Sequence, residues 1–233
     1  MPQSQSTYNP PPDYGLDIVY CDESLLVVNK PAGLLSVPGR GLDKADSLAV
    51  RVQKEFPDAR SVHRLDMSTS GLLVFARGAV MHQRLSCLFR ERAIKKSYVA
   101  IVSGRVGTST GEVDLPLASD WPNRPRQKVD FYIGKPSLTR YVLLEYLEYP
   151  ARDSMHHGEC GLLASRVDLE PATGRTHQLR LHMAAIGHPV LGDELYGENA
   201  GNIAERLLLH ARELSFVHPL RENLLTLSSE PPF

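Results

Sequence analysis

The chain has 233 residues, 42% of them hydrophobic and 23% charged, and a formal net charge of −1. This composition is ordinary for a globular protein with one sizeable core, and no apolar run approaches the roughly 20 residues of a membrane helix. Three cysteines, odd in number and far apart, argue against a disulfide framework and favour the reducing cytoplasm. Residues 1–16 are proline-rich and resemble no signal sequence, so we expect a loose, extended lead-in followed by one domain over residues 17–233.

The first half of the chain is expected to combine short β runs with two helices. Residues 17–30 predict a β hairpin, and residues 72–77 predict a further strand. Apolar residues at helical spacing predict a helix over residues 47–56, capped by Ser47 or by the aspartate before it. A second amphipathic helix is expected over residues 80–92, with basic residues in its last turn.

The second half is expected to consist mainly of strands. Alternating or apolar runs predict strands at 96–104, 139–149, 161–171, 207–211 and 213–219. A helix is predicted over residues 176–187, with Thr176 as its cap, Ile186 facing inward and Gly187 as its terminator. Because strands outnumber helices and can pair mostly antiparallel, we predict an α+β fold with a mixed, mostly antiparallel sheet and a few flanking helices.

Basic residues are concentrated in two segments of this nearly neutral chain. Residues 84–105 contain six basic residues and one acidic residue, and residues 124–140 contain five and one. A local basic stripe of this kind is typical of a protein that binds a polyanion. The alternative, that the two segments are solvated loops on different sides of the molecule, remains open.

The stretch VHRLDMSTSG, residues 62–71, places Asp66 in a polar loop just before a strand. Aspartate is common in turns and helix caps, so its position alone does not establish a catalytic site. The hydroxyls of Ser68, Thr69 and Ser70 lack the GxSxG pattern of an acyl-transfer nucleophile and are expected to bond to the loop backbone. The His-Arg-Leu-Asp order also occurs in kinases, but the other kinase motifs are missing from the sequence.

The histidines give no clear signal for a metal site. His177 with His182, and His156 and His157 with Cys160, do not form a HExxH or CxxC pattern. We therefore expect these histidines to make hydrogen bonds or to lie in exposed loops, and we expect no metal.

The stretch GRTHQLRLH, residues 174–182, combines a glycine turn with a helix start. Unpaired backbone N–H groups at a helix start, with Arg175 and Arg180 beside them, suit an anion. That anion is either a phosphate or Asp66, whose carboxylate an arginine would keep ionised and oriented. A structural ion pair or exposed arginines are the alternatives.

Taken together, these motifs resemble the RluA family of pseudouridine synthases. Its HRLDxxTSG motif is matched by His63, Arg64, Leu65, Asp66, Thr69, Ser70 and Gly71. The stretches VVNKPAGLLSVPG, KKSYVA, GRTHQLRLHM and GHPVLGDELYG agree in order, and the resemblance covers roughly residues 17–219. It implies that residues 17–233 form the pseudouridine synthase catalytic domain, which isomerises uridine in RNA without a cofactor.

The resemblance implies roles for four residues at the reaction centre. Asp66 would be the catalytic aspartate, which attacks the flipped nucleotide or takes a proton from its ribose. Tyr98 would stack on the target base and assist proton removal from C5, and Arg180 would be the basic residue paired with the aspartate. Arg64 would fill the space left by the flipped base.

The same resemblance gives the basic segments a role in RNA binding. The predicted phosphate contacts are Arg90, Arg92, Lys95, Lys96, Arg124, Arg126 and Lys128, and the remaining predicted substrate contacts are His63, Thr69 and Arg175. Trp121, next to a proline, is expected to be a packing anchor. Residues 152–161, RDSMHHGECG, are expected to be a branch-specific insertion.

Within the family, the stretches LLSVPGR and DWPNRPRQKV are similar to the branch that acts on both large-subunit ribosomal RNA and tRNA anticodon stem-loops. The expected partner is therefore RNA and not DNA, bound by a monomer. A relative that modifies tRNA alone and a non-catalytic RNA-binding or ribosome-assembly protein remain alternatives. The presence of Asp66, Tyr98 and Arg180 argues against the second, because a pure binder needs no carboxylate facing a polyanion.

Overall fold

The computed structural model describes residues 8–150, 161–197 and 203–233. Over these residues the strands are β1 Ile18–Cys21, β2 Leu25–Lys30, β3 Ala59–Ser61, β4 Ser70–Arg77, β5 Lys95–Ser103, β6 Thr110–Asp114, β7 Leu117–Ser119, β8 Gln127–Val129, β9 Leu138–Tyr149, β10 Leu162–Pro171, β11 Leu209–Val217 and β12 Leu224–Ser228. The α-helices are α1 Leu48–Glu55, α2 Ala79–Arg90 and α3 Gln178–Ala185. This excess of strands over helices confirms the α+β class. No helix in the described ranges is long and apolar enough to span a membrane.

These elements fall into two compact units. The first comprises the described parts of Met1–Ile94 together with Ser215–Ser229. The second comprises the described parts of Lys95–Leu214 together with Glu230–Phe233. The expected division into a lead-in of residues 1–16 and one catalytic domain over residues 17–233 stays a prediction.

In the first unit, β2 pairs antiparallel with both β1 and β4, and β3 pairs antiparallel with β4. The predicted hairpin is thus confirmed as β1 and β2. Both β2 and β4 are buried over almost their whole length, which explains why their sequences are continuous apolar runs and do not alternate. The loop between β3 and β4 carries Asp66.

Helix α1 begins and ends where local sequence rules place it. The Ser47 side chain accepts a hydrogen bond from the Val50 backbone N–H at 3.4 Å, which confirms Ser47 as the cap. The helix ends at Glu55, two residues before Pro57, because the residue that precedes a proline is disfavoured in helical conformation.

The segment before β1 is extended but is not loose. The Arg51 side chain of α1, only 6% exposed, donates to the backbone oxygens of Pro11 and Pro12 and forms an ion pair with Asp46 at 2.7 Å. The Tyr8 hydroxyl donates to the Asp46 carbonyl. The expectation of a loose lead-in is wrong for this part, because a buried guanidinium needs acceptors and the segment supplies them.

In the second unit, β5, β10, β9 and β6 are hydrogen-bonded in that order, and all three pairs are antiparallel. The strand beside β5 is β11, of which residues 209–214 belong to this unit. Helix α3 buries Leu179 and Met183 in a cluster with Ala100 and Val102 of β5. The expected inward position of Ile186 is wrong. It is 36% exposed, because the helix ends at Ala185.

The ends of α3 test the predicted cap and terminator. Gly187 has a φ of +86°, so this residue terminates the helix as predicted. Thr176 is not the cap, since the helix begins at Gln178 and His177 precedes it in the left-handed conformation. The Gln178 carboxamide accepts the Arg175 backbone N–H at 3.0 Å, which stabilises a turn where the helix was expected to start.

The late strands differ from the prediction. Residues 207–211 and 213–219 were expected to form two strands, but Leu209–Val217 is continuous as β11. Arg212 lies inside β11 and pairs with Asp168 of β10 at 3.0 Å, so the polar residues between the two apolar runs do not break the strand. The unpredicted strands β3, β6, β7, β8 and β12 contain three to five residues, too few to show a clear period.

Candidate active site

Asp66 occupies the first position of a tight turn in the loop between β3 and β4. The Thr69 backbone N–H donates to the Asp66 carbonyl at 3.2 Å, which closes the turn. The preceding residue, Leu65, is buried, whereas the following Met67 is 44% exposed. The loop is therefore anchored just before Asp66, and Asp66 itself is half-buried.

A buried serine holds the backbone directly before Asp66. The Ser36 hydroxyl donates to the Leu65 carbonyl at 2.7 Å and accepts the Leu65 N–H at 3.0 Å. Both polar groups of the Leu65 backbone are thus satisfied by one side chain that is 4% exposed. This serine belongs to the LLSVPG stretch, whose sequence pattern predicts no role for it.

A buried lysine holds the backbone directly after Asp66. The Lys30 ammonium donates to the Met67 carbonyl at 3.0 Å, to the Leu34 carbonyl at 2.7 Å and to the Pro31 carbonyl at 2.8 Å. Because a buried ammonium has three donors to satisfy, this arrangement stabilises the charge without exposing it. The sequence signal for it is a lysine at the end of β2, directly before Pro31.

His63 and Thr69 lie within the structure of the loop. The His63 Nε2 atom accepts the Val74 backbone N–H at 2.9 Å, and its ring stacks on Phe89 with the centroids 4.4 Å apart. Thr69 is 2% exposed. This burial favours a role in the loop interior over the RNA contact that was expected of Thr69, whereas Arg64 is exposed as its predicted role requires.

Tyr98 lies on β5 opposite Leu169 of β10. Its ring packs against the core cluster that contains Ala100 and Val102, so these three residues share the sheet face that the alternation predicted. One part of the ring is fixed by this packing, and the residue is half-buried. Its stacking on the target base stays a prediction.

Arg180 forms a buried, bidentate ion pair with Asp193. Its Nε and Nη2 atoms each donate to a different carboxylate oxygen at 2.8 Å, and the two side chains are 5% and 0% exposed. Burial raises the pKa of Asp193, but the hydrogen bonds and charge of Arg180, together with hydrogen bonds from the Leu195 and Tyr196 N–H groups, outweigh it and hold this pKa below its usual value. The structural ion pair that the sequence left open is present with Asp193, and a pairing of Arg180 with Asp66 stays a prediction.

Tyr196 contacts Arg180 through its ring and forms hydrogen bonds with Gln127 and His177 through its hydroxyl. The Arg180 guanidinium carbon lies 5.4 Å from the centre of the Tyr196 ring. The Tyr196 hydroxyl accepts the Gln127 backbone N–H at 2.8 Å and shares a hydrogen bond of 2.7 Å with His177 Nδ1. Asp193 and Tyr196 were missed as site residues, although both belong to the quoted GDELYG stretch.

His177, directly before α3, and His182 within it make hydrogen bonds, as was expected. His182 is fully buried and bonds to the Thr139 hydroxyl and the Leu115 carbonyl, and burial lowers its pKa. Among the described residues no cluster of three or more histidine, cysteine or acidic side chains is arranged to hold a metal. The other candidate ligands, His156, His157 and Cys160, lie outside the described residues, as does nearly all of the 152–161 segment.

At the predicted anion site before α3, a protein side chain already accepts hydrogen bonds from some of the donors. The Gln178 carboxamide oxygen accepts both the Arg175 N–H and the Thr173 hydroxyl. A basic group nevertheless approaches the turn: a Cβ placed on Gly174 would lie 3.8 Å from Lys96 Nζ. The structure thus brings two predicted binding residues, Lys96 and Arg175, to the same turn.

The predicted phosphate contacts are divided between the two units. Arg90 and Arg92 lie at the end of α2 in the first unit, and Lys95 begins β5 in the second; all three are exposed. Arg124 and Arg126 are exposed in the loop between β7 and β8. Whether these residues form one basic stripe stays a prediction.

Trp121 and Lys128, on and beside the β7–β8 hairpin, differ from expectation. Trp121 is 66% exposed, with the Arg124 guanidinium carbon 4.3 Å from the centre of its ring, so it is not a packing anchor. It lies in a short 3-10 helix at the tip of the β7–β8 hairpin. Lys128 pairs with Asp130 at 2.8 Å, so part of its charge is compensated within the protein.

Residues 24–185 match the family model of RNA pseudouridylate synthases. The chain belongs to this family. Members of the RNA pseudouridylate synthase family are isomerases, so the chain is an enzyme that modifies RNA. The match extends through the HRLD loop and through α3, which carries Arg180.

Curated relatives are similar over nearly the whole chain. The dual-specificity RNA pseudouridine synthase RluA of Escherichia coli (strain K12) is 48% identical over 227 residues, which cover 97% of this chain and 98% of the relative. The protein of the same name from Vibrio parahaemolyticus is 51% identical over 213 residues, which cover 91% and 82%.

A solved family structure supports the fold. The human RNA pseudouridylate synthase domain containing 1 is 33% identical, with a TM-score of 0.78, and the match covers 97% of this chain and 87% of the human one. The pseudouridine synthase catalytic fold that the sequence motifs implied is therefore confirmed.

Proposed function

We propose that this chain isomerises uridine to pseudouridine in loop regions of 23S ribosomal RNA and of tRNA anticodon stem-loops, with Asp66 as the catalytic aspartate. The observation that carries the proposal is the HRLD loop, in which Ser36 and Lys30 hold the backbone on both sides of Asp66. The similar curated proteins are named dual-specificity enzymes. Loop substrates suit this chemistry, because a base must leave its stack before it reacts, and this costs least where the base is unpaired.

The reaction moves the glycosidic bond of one uracil from N1 to C5. The N1–C1′ bond breaks, the base turns, a C5–C1′ bond forms, and the proton lost from C5 is balanced by one gained at N1. Asp66 begins this sequence either by attacking the nucleotide or by taking a ribose proton. Both routes require a carboxylate in a fixed position, and the contacts of Ser36 and Lys30 with the backbone beside Asp66 support this requirement. Because no atom is gained or lost, the reaction consumes no co-substrate, and the proposed residues act without a cofactor.

Three further residues act on the flipped nucleotide. Tyr98 stacks on the target base and assists removal of the C5 proton, and Arg180 is the basic residue of the reaction centre. The Asp193 carboxylate supports this role of Arg180, because two hydrogen bonds restrict the guanidinium to one orientation. Arg64, exposed beside the HRLD aspartate, fills the space that the base leaves.

RNA is held mainly through its backbone phosphates. The proposed contacts are Arg90, Arg92, Lys95, Lys96, Arg124, Arg126, Lys128 and Arg175, with His63 and Thr69 supporting the loop that receives the nucleotide. The enzyme acts as a monomer through a catalytic domain of residues 17–233, on RNA and not DNA. It acts in the reducing cytoplasm, in keeping with the free thiols of Cys21 and Cys87.

The test is pseudouridine formation by the wild type and by Asp66→Ala on a tRNA anticodon stem-loop and a ribosomal hairpin, with EDTA present throughout. Product on both RNAs with the wild type alone, together with unchanged RNA affinity of Asp66→Ala, is the expected result. Product on tRNA alone would restrict the substrate range. Binding without product on either RNA would contradict the catalytic role and favour a non-catalytic RNA-binding protein.

A further inference from the structure

Three consecutive large apolar side chains after β8 are almost completely exposed. The exposed fractions are 74% for Phe131, 100% for Tyr132 and 73% for Ile133. Runs of this kind are costly on the surface of a monomer and are typical of binding sites. Trp121, at the opposite end of the β7–β8 hairpin, is also exposed.

The turn that presents these side chains is held by polar contacts and not by their packing. The Asp130 carboxylate accepts the backbone N–H groups of Tyr132 and Ile133 at 3.0 and 3.1 Å, and the Gly134 N–H donates to the Asp130 carbonyl at 2.9 Å. Hydrogen bonds from Lys128 and from these N–H groups lower the pKa of Asp130 to about 2, so the carboxylate stays charged at neutral pH.

Glycine is required at the end of this turn. A Cβ on Gly134 would lie 2.8 Å from the Pro116 carbonyl carbon, closer than such atoms approach in real proteins. The backbone is thus fixed by Asp130 and Gly134, whereas the side chains of residues 131–133 project into solvent. A rigid backbone that exposes apolar groups loses little entropy when a ligand covers them.

Charge and aromatic character point to RNA as the occupant. Arg124 lies over the Trp121 ring, and Arg126, two residues further along the chain, is exposed, so the hairpin presents cationic groups together with an aromatic ring. Unpaired nucleotides are bound by this combination, in which bases stack on aromatic rings and guanidinium groups neutralise phosphates. A paired duplex hides its base faces and would leave the aromatic side chains uncovered.

We infer that the β7–β8 hairpin and the 131–133 turn form a stacking surface for unpaired nucleotides of the RNA substrate. Phe131 and Tyr132 stack on bases at one end of the hairpin, and the pair of Trp121 and Arg124 stacks at the other. Arg126 contacts a phosphate. This inference rests on the proposed function, since it assigns a substrate contact to an RNA-modifying enzyme.

The only tryptophan of the chain lies in this surface, so its fluorescence reports directly on occupancy. In an Asp66→Ala background, which prevents turnover, a tRNA anticodon stem-loop should quench Trp121 emission, whereas a blunt duplex of equal length should not.

Tyr132→Ala should weaken stem-loop binding about tenfold, and Tyr132→Phe should restore it. The slope of the logarithm of the RNA association constant against the logarithm of salt concentration should stay unchanged in Tyr132→Ala, because stacking releases no counterions. In Arg126→Ala the magnitude of this slope should decrease by about one, because one phosphate contact is lost.

Tyr14→Ala is the matched control, since Tyr14 is 92% exposed in the other unit and should leave RNA affinity unchanged. Wild-type affinity of Tyr132→Ala for the stem-loop, or an equal loss of affinity for stem-loop and duplex, would overturn the inference. Unchanged RNA affinity with loss of self-association would assign the surface to a protein contact and also overturn it. If the wild type binds loops through Tyr132 but forms no pseudouridine, the proposed function fails and the stacking surface stands.

Discussion

Ser36→Ala provides the sharpest test of how the fold positions Asp66. The substitution removes one oxygen atom that bonds to both the N–H and the carbonyl of buried Leu65. Leaving a buried polar group without a partner costs about 1–3 kcal/mol, so we expect a loss of about 2–4 kcal/mol in the free energy of unfolding. For a chain of this size that corresponds to a fall in Tm of about 5–10 °C.

The effect on catalysis is expected in kcat and not in KM. Ser36 is 4% exposed and does not reach the surface that RNA contacts, so substrate binding should be unchanged. The backbone next to Asp66 would lose its anchor, and a displacement of about 1 Å at a reacting group can lower the rate about 100-fold. We therefore expect kcat, measured as pseudouridine formed per folded enzyme at saturating stem-loop RNA, to fall by about 10- to 100-fold.

Ser165→Ala is the matched control for this prediction. The Ser165 hydroxyl is buried and also bonds to two backbone groups, the Val106 N–H and the Gly104 carbonyl, in the second unit. Its loss should lower Tm by a similar amount and leave kcat unchanged. If Ser36→Ala and Ser165→Ala lower Tm equally and both retain full kcat well below their Tm, Ser36 has only a structural role and the reasoning is wrong.

Three other substitutions or conditions test the buried charges. Asp193→Asn removes the carboxylate charge from this buried, bidentate ion pair, so we expect a loss of about 3–5 kcal/mol in the free energy of urea unfolding; a loss below about 1 kcal/mol would contradict a strong Arg180–Asp193 pair. Because the pKa of Asp193 is lowered on folding, its stabilising contribution is complete above its unfolded pKa and is lost as pH falls through the folded value. Below about pH 4 the wild type should therefore lose stability more steeply than Asp193→Asn, and parallel curves would refute this. Lys30→Met removes the ammonium donor from the Pro31, Leu34 and Met67 carbonyls, of which Met67 keeps the Gly33 N–H, so Tm should fall by about 5 °C or more. An unchanged Tm would show that the ammonium does not hold the loop.

Local features of this chain could be predicted from the sequence, because each depends on residues only a few positions apart. The Ser47 cap acts on the backbone three residues later, Gly187 supplies the positive φ that ends α3, and the alternation around Tyr98 assigns it to one face of β5. The HRLD loop was likewise placed before a strand by its polar composition. Its match to a known motif assigned Asp66 a role that residue type and spacing left open.

Hydrogen bonds between residues far apart in the chain are determined only by the tertiary structure. Ser36 reaches Leu65 across 29 residues, Lys30 reaches Met67 across 37, and Arg180 bonds to Asp193 across 13. No local pattern encodes these pairs, because a buried polar group takes whichever partner the packed backbone brings within hydrogen-bond distance. For the same reason, the sequence marked Asp66 and Arg180 as chemically important, but only the folded chain decided which side chains hold each of them in place.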